Sequence, residues 1–410
     1  LRYITQMLAH GFLLRMLQQK NSKSKYPNVL QVLYRITKIR KMNRSQFIKN
    51  ISFSAIGILI LSKFGFAKTV HMSKSVVKNI KPLGFPWETQ DPFLFCAYHR
   101  DEYPKGNANM GVDFEQLKGR NMGSDFTPKD GWRMYHGSNI PGFPYHPHRG
   151  FETITINKEG VVDHSDSLGA AGRFMAGDVQ WMTAGKGIQH SEMFPLIDQE
   201  KGNPLEIFQV WLNLPKVSKM VEPHFKMLWN EDIPEINHKD ELGNITSIQV
   251  IAGRINDTNA LEPTPDSWAS NTQNAVGIYT VKMEASANWT LPKTSPEANR
   301  SIFFYKGNEI KIEEKTISHN NIIELEANAG VEIQNGNTEA YFLILEGKPI
   351  GEPVAQHGPF VMNTQEEIQQ AIRDYGKTQF GGWPWAETEV VHSRDKGRFA
   401  LHSDEKEEIK

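Results

Sequence analysis

The chain has 410 residues, 39% of them hydrophobic, and its 46 lysine and arginine residues against 47 aspartate and glutamate residues give a net charge of −1. This length predicts two domains, each able to bury its own core. The neutral balance argues against direct nucleic-acid binding, which usually requires a basic excess. The single cysteine, Cys96, excludes an intramolecular disulfide, and we expect it to be a small buried hydrophobic residue rather than a nucleophile.

Residues 1–77 are predicted to form an N-terminal extension. Residues 1–41 carry many basic side chains and no acidic ones, and 42–67 combine a basic start, an apolar run and a small residue before Lys68. That order is typical of a secretory signal, and the apolar run is too short to be a stable membrane span. If 42–67 is a signal, the protein is exported to the periplasm. If the segment is instead a membrane-surface or disordered extension, the protein is cytoplasmic. Either Met42 or Met72 is expected to be the start.

Most of the remaining chain reads as short strands separated by turn residues, which predicts an all-β protein of sandwich or barrel type. Residues 78–262 contain the first strand series, in which 151–156 ("FETITI") alternates apolar and polar side chains. The segment 263–274 has the composition of a linker. A second strand series follows it, so we predict a second barrel within residues 263–386.

One helix is predicted near the C-terminus, at residues 364–375. Thr364 and Glu367 have the spacing of a capping box, and the apolar residues that follow recur at helical spacing, namely Ile368, Ala371, Ile372 and Tyr375. Residues 387–410 are predicted to be a polar tail.

The two strand series share a short motif. Residues 184–190 read "AGKGIQH" and residues 329–335 read "AGVEIQN". We interpret this as an internal duplication that produced a tandem pair of β-barrels. At the last position of the motif, His190 in the first series becomes Asn335 in the second.

Two pairs of candidate metal ligands lie in the first series. His146 and His148 are two residues apart, and so are His190 and Glu192. Side chains at i and i+2 of a strand leave the same face, so each pair can direct two ligands into one barrel. Nitrogen and oxygen donors of this kind suit Fe(II), Mn, Ni, Cu or Zn rather than Ca or Mg. An octahedral ion would keep open positions for a substrate, whereas a four-coordinate zinc would be closed and structural.

Several longer strings resemble the pirin family of the cupin superfamily: "HPHRGFETITI", "DHSDSLGAAG", "GDVQWMTAGKGIQHSEMFP", "FQVWLNLPK", "EPHFKMLW" and "GPFVMNT". The similarity runs from about Lys81 to Tyr375. It implies a bicupin fold, in which two β-barrels pack face to face and only the N-terminal barrel binds metal, usually iron. The second barrel's loss of paired ligands agrees with Asn335.

The resemblance also implies the ligand set. The family's two motifs fall on His146, His148, His190 and Glu192. A typical single cupin takes its carboxylate ligand soon after the first motif, so Glu152 is expected as an alternative ligand or as a neighbour of the ligands. His164, by contrast, is predicted to be a turn residue.

Some family members are similar in activity to quercetin 2,3-dioxygenases, which open a flavonol with O2. This implies a flat aromatic substrate, with Glu192 accepting the proton of its hydroxyl group. Candidate walls of the substrate pocket are the large apolar residues near the motifs, namely Phe143, Phe151, Trp181, Met182 and Phe194.

Two alternatives stay open from the sequence. The first is an iron-dependent, redox-sensing module that binds a protein partner without turnover, as eukaryotic family members are thought to act. The second is a binding scaffold with a closed, structural zinc site.

Overall fold

The structure is a computed structural model that describes residues 75–410. The predicted signal segment at 42–67 lies outside the described residues. The first half of the described chain contains one short helix, α1 (Phe114–Leu117), and these strands: β1 (Val77–Pro82), β2 (Trp87–Glu88), β3 (Phe93–Tyr103), β4 (Gly142–His148), β5 (Phe151–Glu159), β6 (Val161–Asp166), β7 (Ala171–Met175), β8 (Val179–Thr183), β9 (Ile188–Met193), β10 (Asn203–Asn213) and β11 (His224–Leu228).

The second half contains the longer helix α2 (Gln365–Thr378) and the remaining strands: β12 (Glu235–Lys239), β13 (Ile245–Ala252), β14 (Arg254–Ile255), β15 (Thr258–Asn259), β16 (Gly277–Met283), β17 (Asn288–Leu291), β18 (Asn299–Lys306), β19 (Glu309–Ile312), β20 (Lys315–Ser318), β21 (Asn321–Leu325), β22 (Val331–Asn335), β23 (Ala340–Gly347), β24 (Ala355–His357), β25 (Phe360–Met362), β26 (Phe399–Leu401) and β27 (Glu407–Ile409). Short 3-10 turns lie at Lys216–Ser218, Trp268–Ser270, Thr272–Asn274 and Gln379–Gly381.

The strands form two cupin barrels, as predicted. The first barrel consists of a sheet in the order β11-β8-β5-β10-β3-β2 and a second sheet in the order β27-β26-β7-β6-β9-β4. The second barrel consists of the sheets β1-β21-β18-β23-β16-β13-β12 and β17-β22-β19-β20. Neighbouring strands in these sheets are antiparallel.

Strand membership departs from the predicted division at residue 262. Strand β1 pairs with β21, and β12 and β13 extend the sheet of β16, so all three belong to the second barrel. The predicted polar tail contains β26, which pairs with β7 of the first barrel. The first barrel therefore includes β26, from the C-terminal end of the chain, and the second barrel includes β1, from the start of the described residues. The sequence pattern could not reveal this assignment of strands to barrels, because it shows where strands lie in the chain and not which strands pair.

Strand β5 is buried on both faces from Phe151 to Asn157. Ile154 and Ile156 belong to an apolar cluster that also contains Ile278 and Phe303 of the second barrel. Burial of each such isoleucine contributes roughly 1.5–3 kcal/mol. The alternate residues of β5 face the interior of the first barrel, so one strand carries both the contact between the barrels and a wall of the first barrel's interior.

The interior of the second barrel is apolar. Both of its sheets contribute to one cluster of buried side chains, among them Trp289, Ile333 and Phe342. Asn335 does not contact a histidine there; its amide Nδ2 donates to three backbone carbonyls, those of Met283, Glu284 and Thr338. Asn335 thus closes a turn where His190 of the first barrel lies in a polar interior.

Helix α2 begins as predicted. The Thr364 side chain accepts from the Glu367 N–H, and the Glu367 carboxylate accepts from the Thr364 N–H, which completes the capping box. Ile368 and Ala371 are buried. The helix runs three residues further than the predicted end at 375. Within residues 75–410, no helix is long and apolar enough to cross a membrane.

The chain that follows β23 contains β24, β25 and α2, and we call it the second barrel's C-terminal extension. It packs against the turn between β4 and β5. Gly150 in that turn has φ +87°, and a Cβ there would lie 2.0 Å from the carbonyl oxygen of Val361. Only glycine adopts this conformation and allows this approach without strain. Lys219 is buried beside the turn, where its Nζ donates to the carbonyls of Gly150 and Val361 and to Oδ1 of Asn213.

Cys96 is buried too, as expected, and burial raises the pKa of its thiol.

Candidate metal centre

Three histidines converge inside the first barrel. Strand β4 carries His146 and His148 and pairs with β9 so that His146 lies opposite His190. The ring centroids are 4.5 Å apart for His146 and His190, 4.7 Å for His146 and His148, and 4.8 Å for His148 and His190. One potential ligand nitrogen from each ring lies within 4.8 Å of the other two. We call these three residues the histidine triad.

The triad's hydrogen bonds leave nitrogens free for a metal. Nδ1 of His146 lies 2.9 Å from the carbonyl oxygen of Pro144, and Nδ1 of His148 lies 3.4 Å from that of Pro359. Nε2 of His148 and both ring nitrogens of His190 are buried and have no hydrogen-bond partner among the described residues. Buried polar atoms are rarely left unpaired. A metal ion that takes one nitrogen from each ring would explain why Nε2 of His148 and one nitrogen of His190 are unpaired. The backbone contacts at Nδ1 of His146 and His148 are usual for ligating histidines.

The protonation states fit the same ligand set. Desolvation inside the barrel lowers the pKa of His146 to about 4 and lowers those of His148 and His190 well below the usual value. The three rings are therefore neutral near pH 7, and the neutral imidazole is the form that binds metals.

Glu192 lies beside the triad but is not one of its members. Its Oε2 is 3.8 Å from Nε2 of His190. Thr155 Oγ1 donates to Oε1 at 3.0 Å and Gln209 Nε2 donates to Oε2 at 2.5 Å. Burial raises the pKa of the Glu192 carboxyl. The structure thus brings the fourth predicted ligand to the edge of the site, and its coordination of the ion stays a prediction.

Glu152 faces away from the triad, contrary to the expectation that it is a ligand or a neighbour of the ligands. The interior face of β5 is the one that carries Thr155, which contacts Glu192. Because strand side chains alternate, Glu152 lies on the opposite face. It is fully buried there, and its carboxylate accepts four hydrogen bonds, from Trp181 Nε1, Thr183 Oγ1, Thr264 Oγ1 and Ser267 Oγ. Glu152 therefore attaches the linker to the first barrel.

A cavity of about 520 Å³ reaches the triad from the surface. Two of the triad residues, His146 and His148, line it together with Glu192 and Gln209. Its other walls are His136, Phe143, Pro144, Tyr145, Trp211 and Pro359. The volume is in the range typical of small-molecule sites. The metal site is therefore open on one side.

Among the predicted pocket residues, Phe143 lines the cavity, with its ring centroid 6.2 Å from that of His146. Phe151 does not line it. Its ring stacks at 4.0 Å on the ring of Trp211, which takes the wall position instead. The centroid of Trp211 lies 5.3 Å from that of His148.

The other three predicted wall residues are buried in packing clusters and do not line the cavity. Trp181 faces the second barrel, Met182 packs with Ala184 and Ile188, and Phe194 packs with an aromatic cluster behind the cavity. Nearness to a motif in sequence was a poor guide to the wall, because neighbouring strand residues point to opposite faces.

His164 is a strand residue, so its assignment to a turn was wrong. It lies in β6, fully buried, with its ring 5.5 Å from that of His190. Its Nε2 is 3.2 Å from Asp166 Oδ2, and its Nδ1 is 2.8 Å from the Gln180 amide nitrogen. The serine and aspartate around it resembled a turn in composition.

Gln209 and Trp211 were missed in the sequence. Gln209 Oε1 accepts from Trp211 Nε1 at 3.1 Å, so the two side chains form one chain of hydrogen bonds that ends on Glu192. Their i, i+2 spacing in a strand was the available signal. Pro359 belongs to the second barrel's C-terminal extension, and no local pattern predicted its position.

Comparisons with known proteins match both barrels. The Pirin family model matches residues 107–212, and the model for the Pirin C-terminal cupin domain matches residues 278–381. Pirin-1 of Arabidopsis thaliana is 38% identical over 242 residues, covering 58% of this chain and 78% of that protein. Pirin of Homo sapiens is 34% identical over 254 residues, covering 60% and 80%. The crystal structure of quercetin 2,3-dioxygenase from Acinetobacter baumannii superposes with a TM-score of 0.58 at 27% identity, covering 76% of this chain and 99% of that one.

Proposed function

The chain belongs to the pirin family of the cupin superfamily, and we propose that it is a metal-dependent dioxygenase that opens flavonol-type substrates with O2. The main support is that His148, whose buried Nε2 has no hydrogen-bond partner, lines a cavity with aromatic walls, and that the unpaired ring of His190 lies beside it. The similarity to a solved quercetin 2,3-dioxygenase supports the substrate class.

Fe(II) is the metal we propose for the triad, and Zn, Mn, Ni and Cu also suit neutral imidazole ligands. When bound, the ion supplies Lewis acidity towards the adjacent hydroxyl and carbonyl oxygens of a flavonol. A closed structural zinc site does not fit equally well. His146 and His148 line the cavity, which leaves room beside them for a substrate, whereas a structural zinc is enclosed by protein ligands.

Glu192 is the residue we propose as proton acceptor for the substrate hydroxyl group. Its carboxylate lines the cavity next to the triad. The hydrogen bonds from Thr155 and Gln209 fix both of its oxygens, so the acceptor is oriented before the substrate arrives. Correct positioning of a general base of this kind accelerates a proton transfer by about 10²–10⁴-fold.

The cavity walls would hold a flat aromatic molecule. Phe143 lies on the side of His146 and Trp211 on the side of His148, so a planar substrate at the triad is bordered by rings. Phe151 and Phe95 pack at 4.0 and 4.2 Å against Trp211 and fix its position. Apolar walls also exclude water from the reacting atoms.

The proposal is tested by anaerobic purification with metal quantification, followed by O2 uptake in an oxygen electrode with a panel of flavonols and catechols. The wild-type protein and the exposed-histidine control His238→Ala are expected to contain metal and to consume O2 with quercetin. His148→Ala is expected to lose both the metal and the O2 uptake. Full turnover by a metal-free His148→Ala protein would refute the proposal.

A further inference from the structure

The chain that follows helix α2 is attached to the outside of the sheet that carries the triad. Gln189, next to His190, donates through its Nε2 to the carbonyls of Gln379 and Gly382, at 2.7 and 3.0 Å. A few residues later, the indole N–H of Trp385 donates to the carbonyl of Asp166 at 2.8 Å. We call the chain from Gln379 to Glu389 the C-terminal segment. These bonds fix its start against β9 and β6.

A second attachment lies on the edge strand β4. The N–H of Tyr145 donates to the carbonyl of Thr388 at 3.1 Å. The carboxylate of Glu389 accepts from the backbone N–H groups of Ser138 and Ile140, among others in that loop. The segment is thus held at both ends. Tyr145, which binds its second end, immediately precedes His146 in the chain.

Between Gly382 and Trp385, which both belong to the first attachment, Trp383 lies against Tyr145 of the cavity wall. Its ring stacks on the ring of Tyr145, with centroids 5.2 Å apart and planes inclined by 29°. Its indole N–H donates to the carbonyl of Glu387 at 2.8 Å, which fixes the side chain within its own loop. Tyr145 lines the cavity and is still 38% exposed. Trp383 therefore packs on an exposed wall residue that immediately precedes His146 in the chain.

We propose that Tyr145 and Trp383 form an aromatic subsite that binds the part of a planar substrate that projects out of the cavity, and that this subsite selects multi-ring over single-ring substrates. This rests on the proposed function for the substrate class. Trp383 lies beyond the residues that the family models match, so the subsite depends on the C-terminal segment. A ring that stacks on another ring gains free energy beyond that of its buried area, and a single-ring diol that uses its ring at the triad has no second ring to offer to this pair.

The test measures binding under anaerobic conditions, so that no turnover is needed. Quercetin and catechol are titrated into the metal-loaded wild type, Trp383→Ala, Trp383→Phe and, as a matched control, Trp268→Phe, since Trp268 lies in the linker and outside the cavity. Trp383→Ala is expected to weaken quercetin binding about threefold to tenfold and to leave catechol binding unchanged. Trp383→Phe keeps a ring and is expected to restore most of the affinity.

Unchanged quercetin affinity in Trp383→Ala, an equal loss for both ligands, or no quercetin binding by the wild type would overturn the subsite. If Trp383→Ala does not fold, Tyr145→Ala replaces it with the same expectation. The proposed reaction is judged separately by O2 uptake. Quercetin binding that depends on Trp383 but is not followed by O2 uptake would refute the reaction and support the subsite. O2 uptake together with an unchanged quercetin affinity in Trp383→Ala would support the reaction and refute the subsite.

Discussion

The side-chain amide of Gln209 donates to the carboxylate of Glu192 at 2.5 Å, while its carbonyl accepts from the indole of Trp211. Gln209 thereby connects the residue proposed to accept a proton with the ring proposed to border the substrate. Since Thr155 holds the other oxygen of Glu192, the carboxylate has one orientation relative to the triad.

Replacement of Gln209 by leucine should lower kcat/KM for O2 uptake with quercetin. Glu192 would lose one of its two side-chain donors, and Trp211 would lose its acceptor. Loss of a partner that orients a group at a metal site typically costs about 10–100-fold in activity or metal affinity. The measurement is kcat/KM for O2 uptake with quercetin, with metal content determined in parallel. Gln334→Leu, at an exposed position of the second barrel, should match the wild type, and equal kinetics for both variants would contradict the role of Gln209.

Glu152→Ala should destabilise the protein and leave its metal content unchanged. Removal of the carboxylate takes the acceptor from four buried donors, of which Thr183 keeps Thr264 Oγ1 as a second acceptor. The expected loss is about 3 kcal/mol of the free energy of unfolding. Glu159→Ala, at the half-buried end of the same strand, should cost less than about 1 kcal/mol. Urea denaturation and metal quantification provide the two readouts. Loss of metal from Glu152→Ala in its folded state would show that this residue serves the site after all.

Lys219 should make stability depend on pH in the alkaline range. Burial lowers the pKa of its ammonium group to about 8, from an ordinary value of 10.5. Between these two values the unfolded chain binds more protons than the folded one, so this group raises the free energy of unfolding as pH increases. The difference in stability between the wild type and Lys219→Met should therefore grow in favour of the wild type from pH 8 to pH 10.

Urea denaturation at several pH values in that range provides the measurement. Lys201→Met, which removes an exposed lysine, should run parallel to the wild type. A Lys219→Met curve parallel to the wild type would mean that Lys219 keeps its ordinary pKa in the folded protein.

The sequence predicted those features that depend on local periodicity. The i, i+2 spacing of His146 and His148 was sufficient to place both rings on one face of a strand, and the capping box of Thr364 marked the start of helix α2. It did not predict features that depend on distant chain. Three features depend on which strands pair, and pairing has no local signature: the barrel membership of β1 and β26, the wall position of Pro359 and the strand position of His164.

The central claim is that three histidines bind one metal ion, and the most direct test is metal stoichiometry in His190→Ala compared with the wild type and His238→Ala. His190 is chosen because both of its ring nitrogens lack a hydrogen-bond partner among the described residues, so its replacement removes a ligand without breaking a side-chain hydrogen bond. We expect close to one ion per chain in the wild type and His238→Ala, and almost none in folded His190→Ala. An undiminished metal content in His190→Ala would contradict it.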